Sequence, residues 1–190
     1  MTATPLTHHV GPHLAPIEKP KGLRLRLLYR LLGRQFGKPP GWLTVYSARV
    51  PLGFTSWLGK VYRLTEKLVL PSETERLLRA HVDGLNGCGW CMDAGRWHAL
   101  TKTPQLIPKL DALHEYRTSP LFDDKERAAL DYATELTEHK HVSPETVARL
   151  TRHYSEREVC EIAWIVATDH LFNILNIGLG VGSDGLCDLR

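Results

Sequence analysis

Apolar residues recur every three or four positions along most of this chain, and no stretch sustains a two-residue alternation. That spacing builds helices with one buried side and leaves no room for a sheet. Leu25, Leu28, Leu32 and Phe36 share one side of a stretch from Leu23 to Phe36, with Arg26, Arg30 and Arg34 along another. Pro39-Pro40-Gly41 breaks the chain, and less regular apolar segments carrying Trp42, Val45, Phe54, Trp57, Leu58 and Tyr62 follow up to Leu70. After Pro71, Ser72-Glu73-Thr74-Glu75 has the capping-box pattern of a helix start, with Leu77, Leu78, Val82 and Leu85 as its buried side. Gly87 ends that helix, and Cys88 to Leu100 reads as the next. Thr103-Pro104 opens a segment reaching about Leu113, and Ala129, Leu130, Ala133 and Leu136 mark another helix from Lys125 to Thr137. Ser143-Pro144 is an N-cap followed by proline at the first helical position. Ser155-Glu156-Arg157-Glu158 is a second capping box, opening a long apolar helix to about Asn176, beyond which Gly178, Gly180, Gly182 and Gly185 end regular structure. The expectation is an all-α, compact multi-helix bundle.

At 190 residues the chain suits one domain, 22–190, preceded by an irregular N-terminal arm over 1–21 that is rich in Pro and His. A metal could be touched by His8, His9 and His13, although a solvated arm is the simpler reading. Hydrophobic residues at 43% and charged residues at 24% are ordinary for a globular protein. Four cysteines do not make a secreted disulfide scaffold, the first residues lack an apolar signal segment, and no run is long enough to span a membrane, so a cytoplasmic location is expected. A net charge of +3 gives no argument for nucleic acid. The basic stretch from Leu23 can lie on a membrane or an acidic partner. Packing its leucines on a core, with the arginines in water, is the alternative.

The chemistry concentrates in Asn86-Gly87-Cys88-Gly89-Trp90-Cys91. Two thiols three positions apart fall on the same side of a helical turn, close enough to exchange with a disulfide. If Cys88 opens a helix, its free N–H groups and the dipole favour a thiolate, which attacks peroxides and disulfides. Two buried small side chains, or half of a zinc site, are the bland alternatives. A zinc site from Cys88, Cys91 and His98 needs a fourth ligand, and there is no second CxxC, so no metal and no bound cofactor are expected.

The run Glu75-Arg76-Leu77-Leu78 through Cys88-Gly89-Trp90-Cys91-Met92-Asp93-Ala94 resembles the alkylhydroperoxidase D / carboxymuconolactone decarboxylase family. So do Ser119-Pro120-Leu121-Phe122, Glu126 to Leu130, Tyr154 to Glu158, and Asn173-Ile174-Leu175-Asn176-Ile177-Gly178. Together these cover roughly 42–187. The resemblance implies a compact all-helical fold forming homo-oligomers, as a trimer, dimer or hexamer. It also implies hydroperoxide reduction by the cysteine pair, the second cysteine being the activated thiol. A dithiol, lipoyl or thioredoxin-like reductant would recycle the pair. In that branch a glutamate twelve positions before the first cysteine and a histidine four after the second relay the proton. Here those positions hold Arg76 and Gly95. The thiols remain and their relay is gone.

Substitutes are available in the sequence. His98, two turns after Cys91, can act as a longer-range base or sit at a helix contact. On the preceding helix, Asp83 and His81 can reach toward Cys88 or be solvated. Arg76 can lower a thiol pKa by its charge, and Trp90 can shield the disulfide or stack on a partner. Asp93 reads as a first-turn dipole partner, Asp169 and His170 as residues of an oligomer interface or, as the alternative, of the active pocket, Cys160 as a core thiol and Cys187 as mobile. The functional expectation is a thiol-dependent antioxidant oxidoreductase acting on a hydroperoxide substrate. A non-enzymatic oligomeric scaffold or redox switch is the alternative, and a decarboxylase-type lyase, whose branch generally lacks the cysteine pair, comes third.

Overall fold

The computed structural model describes residues 11–50 and 52–188, with the Leu52 side chain left aside. Its described residues form helices, single turns and connecting loops. The helices are α1 (Leu23–Phe36), α2 (Leu52–Leu64), α3 (Ser72–Asn86), α4 (Gly89–Lys102), α5 (Ile107–Asp111), α6 (Asp124–His139), α7 (Pro144–Leu150) and α8 (Glu156–Gly178). The less regular stretch after Pro40 contains a π turn over Leu43–Ser47, where the helical period fails. The all-α expectation therefore holds.

Helices α3, α6 and α8 pack on one another around the main core. Leu77, Leu78 and Val82 from α3 meet Leu130 and Ala133 from α6, and Ile162, Ile165 and Val166 from α8. Alanines at 128, 129 and 133 leave α6 a smooth side against which its neighbours approach closely. Each fully buried leucine here contributes on the order of 2 kcal/mol of transfer free energy. Helix α1 belongs to separate, smaller clusters: Leu25 and Tyr29 pack with Leu43, and Phe36 packs with Ala94 and Leu186.

Local chemistry sets several helix starts. Ser155 and Glu158 form the expected capping box at α8, and Ser143 caps α7. A further capping box, Asp123 with Glu126, opens α6. The box expected at Ser72 does not form. Pro71 is the cap residue, so Ser72 already lies inside the first turn, where its hydroxyl is not placed to accept from the orphan N–H groups as a cap residue's would be. Leu85 turns out half exposed rather than buried. Cys160, expected in the core, is exposed on α8.

Two buried polar groups tie the core together. Glu161 accepts from the backbone N–H of Val69 and Leu70, at 2.9 and 3.0 Å, and holds the segment entering α3. His81 lies against α6: its Nε2 is 2.8 Å from Thr134 Oγ1, whose hydroxyl is committed as donor to Leu130 O, so Nε2 carries the hydrogen. Burial and the nearby Arg117 charge push the His81 pKa down to about 4. The unfolded chain therefore takes up a proton before the native state does, and stability falls as pH drops from the ordinary value of 6.5 toward 4. This one group accounts for about 3 kcal/mol across that window. Urea titrations at pH 7 and pH 4.5 should show this as a difference between proteins. Relative to His81→Gln the wild type should lose stability on acidification, the raised Asp83 carboxyl acting the other way in both. Leu77→Ala should keep the wild-type pH dependence.

Candidate active site

The turn between α3 and α4 builds the site. Gly87 ends α3 with φ of +70°, a left-handed conformation that suits glycine, and lets Cys88 N donate to Asp83 O at 3.0 Å. The chain reverses at once, and Cys88 becomes the N-cap of α4, its sulfur 3.4 Å from Cys91 N. Cys88 and Cys91 are joined as a disulfide. Cys88 is fully buried, whereas Cys91 keeps 8% of its surface. Exposure therefore distinguishes the two residues.

Two residues with no role assigned from the sequence lie over the sulfurs. Asn173 and Asn176 project from one side of α8 and are almost completely buried. Asn173 Nδ2 donates to Cys91 Sγ at 3.2 Å and to Asp83 Oδ1 at 2.7 Å, so a single amide bridges sulfur and carboxyl. Asn176 Nδ2 lies 3.4 Å from Cys91 Sγ and 3.8 Å from Cys88 Sγ. Asn86 supports the set by donating to Asn173 Oδ1 at 2.8 Å. Two asparagines three residues apart inside an apolar helix were the available signal, because buried amides must find partners.

Asp83 is buried, with 4% of its surface exposed, and forms a carboxyl–carboxyl pair with Asp169. Asp169 Oδ1 accepts from Arg79 at 2.7 Å, and Arg79 Nε donates to Glu75 at 2.8 Å. The other oxygen, Asp169 Oδ2, has no N–H or O–H donor among the described residues. A proton on Asp83 satisfies it. Burial raises both carboxyl pKa values, that of Asp83 well above the ordinary carboxylate value with the Asp169 charge adding to it, while Arg79 opposes the rise at Asp169. The pair thus holds one proton beside the cysteines. The Asp83 carboxyl lies beside Gly95, where a Cβ would come 3.9 Å from Oδ2.

The other expected site residues are spread out. His81 points into the core toward Thr134, away from the sulfurs. His98 stacks edgewise on Trp97 and Phe36, with ring centroids 5.0 and 6.4 Å away, and has no contact with either cysteine. Burial and the Arg76 charge lower its pKa. Arg76 thus lies close enough to act on His98, and its Nε is buried without a partner. Trp90 shields the turn. Its Nε1 donates to Asp184 Oδ2 at 2.8 Å, and its ring meets Trp42 and Phe36 at right angles.

Several secondary readings change. Asp169 is part of the carboxyl pair, and His170 contacts Asn86 and Thr137 beside it, so both belong to this site rather than to an outer face. Asp93 is no simple dipole partner. Its carboxylate accepts from Ser183 Oγ and from the backbone N–H of Asp184, Leu186 and Cys187, at 2.8 to 3.3 Å, and these bonds lower its pKa. They hold the loop after α8 across the start of α4. Cys187 is consequently fixed rather than mobile, and burial with the Asp93 charge raises its thiol pKa. Among the described residues no group of three His, Cys, Asp and Glu side chains is placed to hold a metal, and His8 and His9 lie outside those residues.

No protein-family profile matches the chain. An uncharacterized protein of Escherichia coli K12, YnjA, is 28% identical over 139 residues, covering 70% of this chain and 71% of its own length. The debrominase Bmp8, solved as a cysteine-to-alanine variant with 2,3,4-tribromopyrrole, superposes with a TM-score of 0.75 at 23% identity and covers 92% of both chains. A peroxidase-related protein of Ralstonia eutropha JMP134 with an alkylhydroperoxidase AhpD core superposes with a TM-score of 0.69 at 18% identity, covering 86% of this chain and 87% of its own. An all-helical architecture shared with these proteins, with a CxxC pair at the α3–α4 turn, gives this chain the alkylhydroperoxidase D-like fold.

Proposed function

We propose that the protein is a thiol-dependent oxidoreductase that reduces hydroperoxides through Cys88 and Cys91, with Asp83 as the proton donor. The observation that carries this reading is the amide of Asn173, bonded at once to Cys91 Sγ and to the Asp83 carboxyl. Nucleophile and acid are thereby held in one hydrogen-bonded unit.

Cys91, the more accessible sulfur, is the attacking thiolate in the reduced protein, stabilised by the Asn173 and Asn176 amides. Its sulfur bonds to the terminal peroxide oxygen and the O–O bond breaks. The departing alkoxide takes the Asp83 proton and leaves as an alcohol. The Cys88 thiol then condenses with the Cys91 sulfenic acid, releasing water and forming the disulfide. An external dithiol returns the pair to thiols by exchange. A second reading is reductive dehalogenation of an aromatic ring, which the match to Bmp8 over nearly the whole chain favours. Two thiols supply the same two electrons in that reaction, and Phe36, Trp42 and Trp90 give aromatic surface near the turn. Homo-oligomer formation remains part of the proposal.

Alkylation of the reduced protein, followed by mass spectrometry across pH, tests the thiolate. Cys91 should react with a midpoint below the free-thiol value of about 8.5, and Asn173→Leu should raise it by about one unit. Equal, unshifted reactivity at both cysteines would remove the activated thiol.

Turnover of organic hydroperoxide with a dithiol reductant tests the reaction. Many equivalents should be consumed, Cys91→Ser should abolish consumption, and Asp83→Asn should slow it by about 10²- to 10⁴-fold with the fold intact. Because the protonated carboxyl is the active form, the rate should fall as pH rises through the elevated Asp83 pKa, and Asp83→Asn should lose that alkaline limb. Consumption that stops after one equivalent would identify a redox switch instead. Bromide release from a bromopyrrole without peroxide turnover would select the second reading.

A further inference from the structure

Charge is distributed very unevenly in this chain. Residues 18–38 hold seven Lys and Arg and one Glu, a net +6, while the remainder has 17 basic and 20 acidic residues, a net −3. The excess is carried mainly by α1, which contains no acidic residue. Leu25, Tyr29 and Phe36 are the side of α1 that packs inward. Its outer side is not simply polar. Leu23, Leu27 and Leu31 are 84%, 54% and 53% exposed. Spaced by four residues, they advance about 40° at each step and form one stripe along the helix. Arg24 borders the stripe on one side and Arg30 on the other, with Arg34 in line at its end. None of these three guanidiniums has a hydrogen bond or ion pair among the described residues.

We infer that this outer face of α1 docks on an anionic lipid surface. The leucine stripe supplies apolar area to enter the acyl boundary. The arginines beside it can keep their charged heads at headgroup level while their stems follow the leucines down. At 14 residues, about 21 Å, the helix is too short to span a bilayer. No helix among the described residues is long and apolar enough to cross one, so the contact is a peripheral one. An acidic protein groove would need apolar pockets matched to three leucines in register. A bilayer needs no such match, and its anionic headgroups complement a helix bearing positive charge alone. This surface is independent of the cysteine chemistry.

The test is co-sedimentation of the full chain with phosphatidylcholine vesicles, with and without phosphatidylglycerol, at low and high salt. The wild-type protein should pellet with the phosphatidylglycerol vesicles and be released by salt. The Leu23→Ser, Leu27→Ser, Leu31→Ser variant, which keeps every charge, should bind at least about tenfold more weakly. An Arg30→Gln, Arg34→Gln variant should weaken binding by a similar factor. All six substituted or neighbouring positions are on the outer face, and circular dichroism checks that the helical fold is kept. Wild-type protein that ignores phosphatidylglycerol at low salt would overturn the inference. So would a serine variant that binds undiminished, since charge alone would then explain the attraction. Sedimentation velocity supplies a third negative result: an oligomer that dissociates only in the serine variant, without vesicle binding, would assign the stripe to a second copy of the chain.

Discussion

The left-handed glycine at position 87 is the constraint on which the site depends. A residue with a side chain pays roughly 1 kcal/mol or more to adopt that conformation, and a looser turn would separate the two helices. With glycine there, Cys88 N reaches Asp83 O, and α4 begins one residue after the turn. The last turn of α3 and the first turn of α4 are thereby brought side by side. The acid on one and the sulfurs on the other come within reach of the same α8 amide.

That arrangement also gives a physical account of the two departures at Arg76 and Gly95. Gly95 removes a side chain from the space that the Asp83 carboxyl faces. Arg76 cannot accept a proton, and its charge falls on His98. On the proposed reading, the proton-donating function moves instead to a carboxyl pair anchored by Arg79. A proton shared between two buried carboxyls differs from a glutamate–histidine relay, because burial favours the protonated acid itself.

Much of the fold was legible before any coordinates. Period-3.6 spacing located the helices, and Ser143 and Ser155 marked two starts through interactions spanning only three residues. Where local signals competed, the reading slipped. At Ser72, Pro71 took the cap position one residue earlier. At Cys160, a small apolar residue on a mostly apolar helix gave no sign of which side it occupied, and it faces out. The cysteine pair was visible as a motif, but its surroundings were not. Asn173, Asn176 and Asp169 meet the α3–α4 turn across 82 to 90 intervening positions, and such encounters leave no periodic trace. Their polarity inside an apolar helix signalled a partner without naming it.

The loop held by Asp93 has a consequence for the chain as it is synthesised. Asp93 and Trp90 find their partners at Ser183 to Cys187, some ninety residues downstream. Until that loop has emerged, the first turn of α4 lacks its cover, and the asparagines of α8 are only just available to the sulfurs. The nascent protein therefore passes through a long interval in which Cys88 and Cys91 lack the contacts that bury them. Their hydrogen-bonded surroundings arrive in one late step, together with the loop that covers the start of α4.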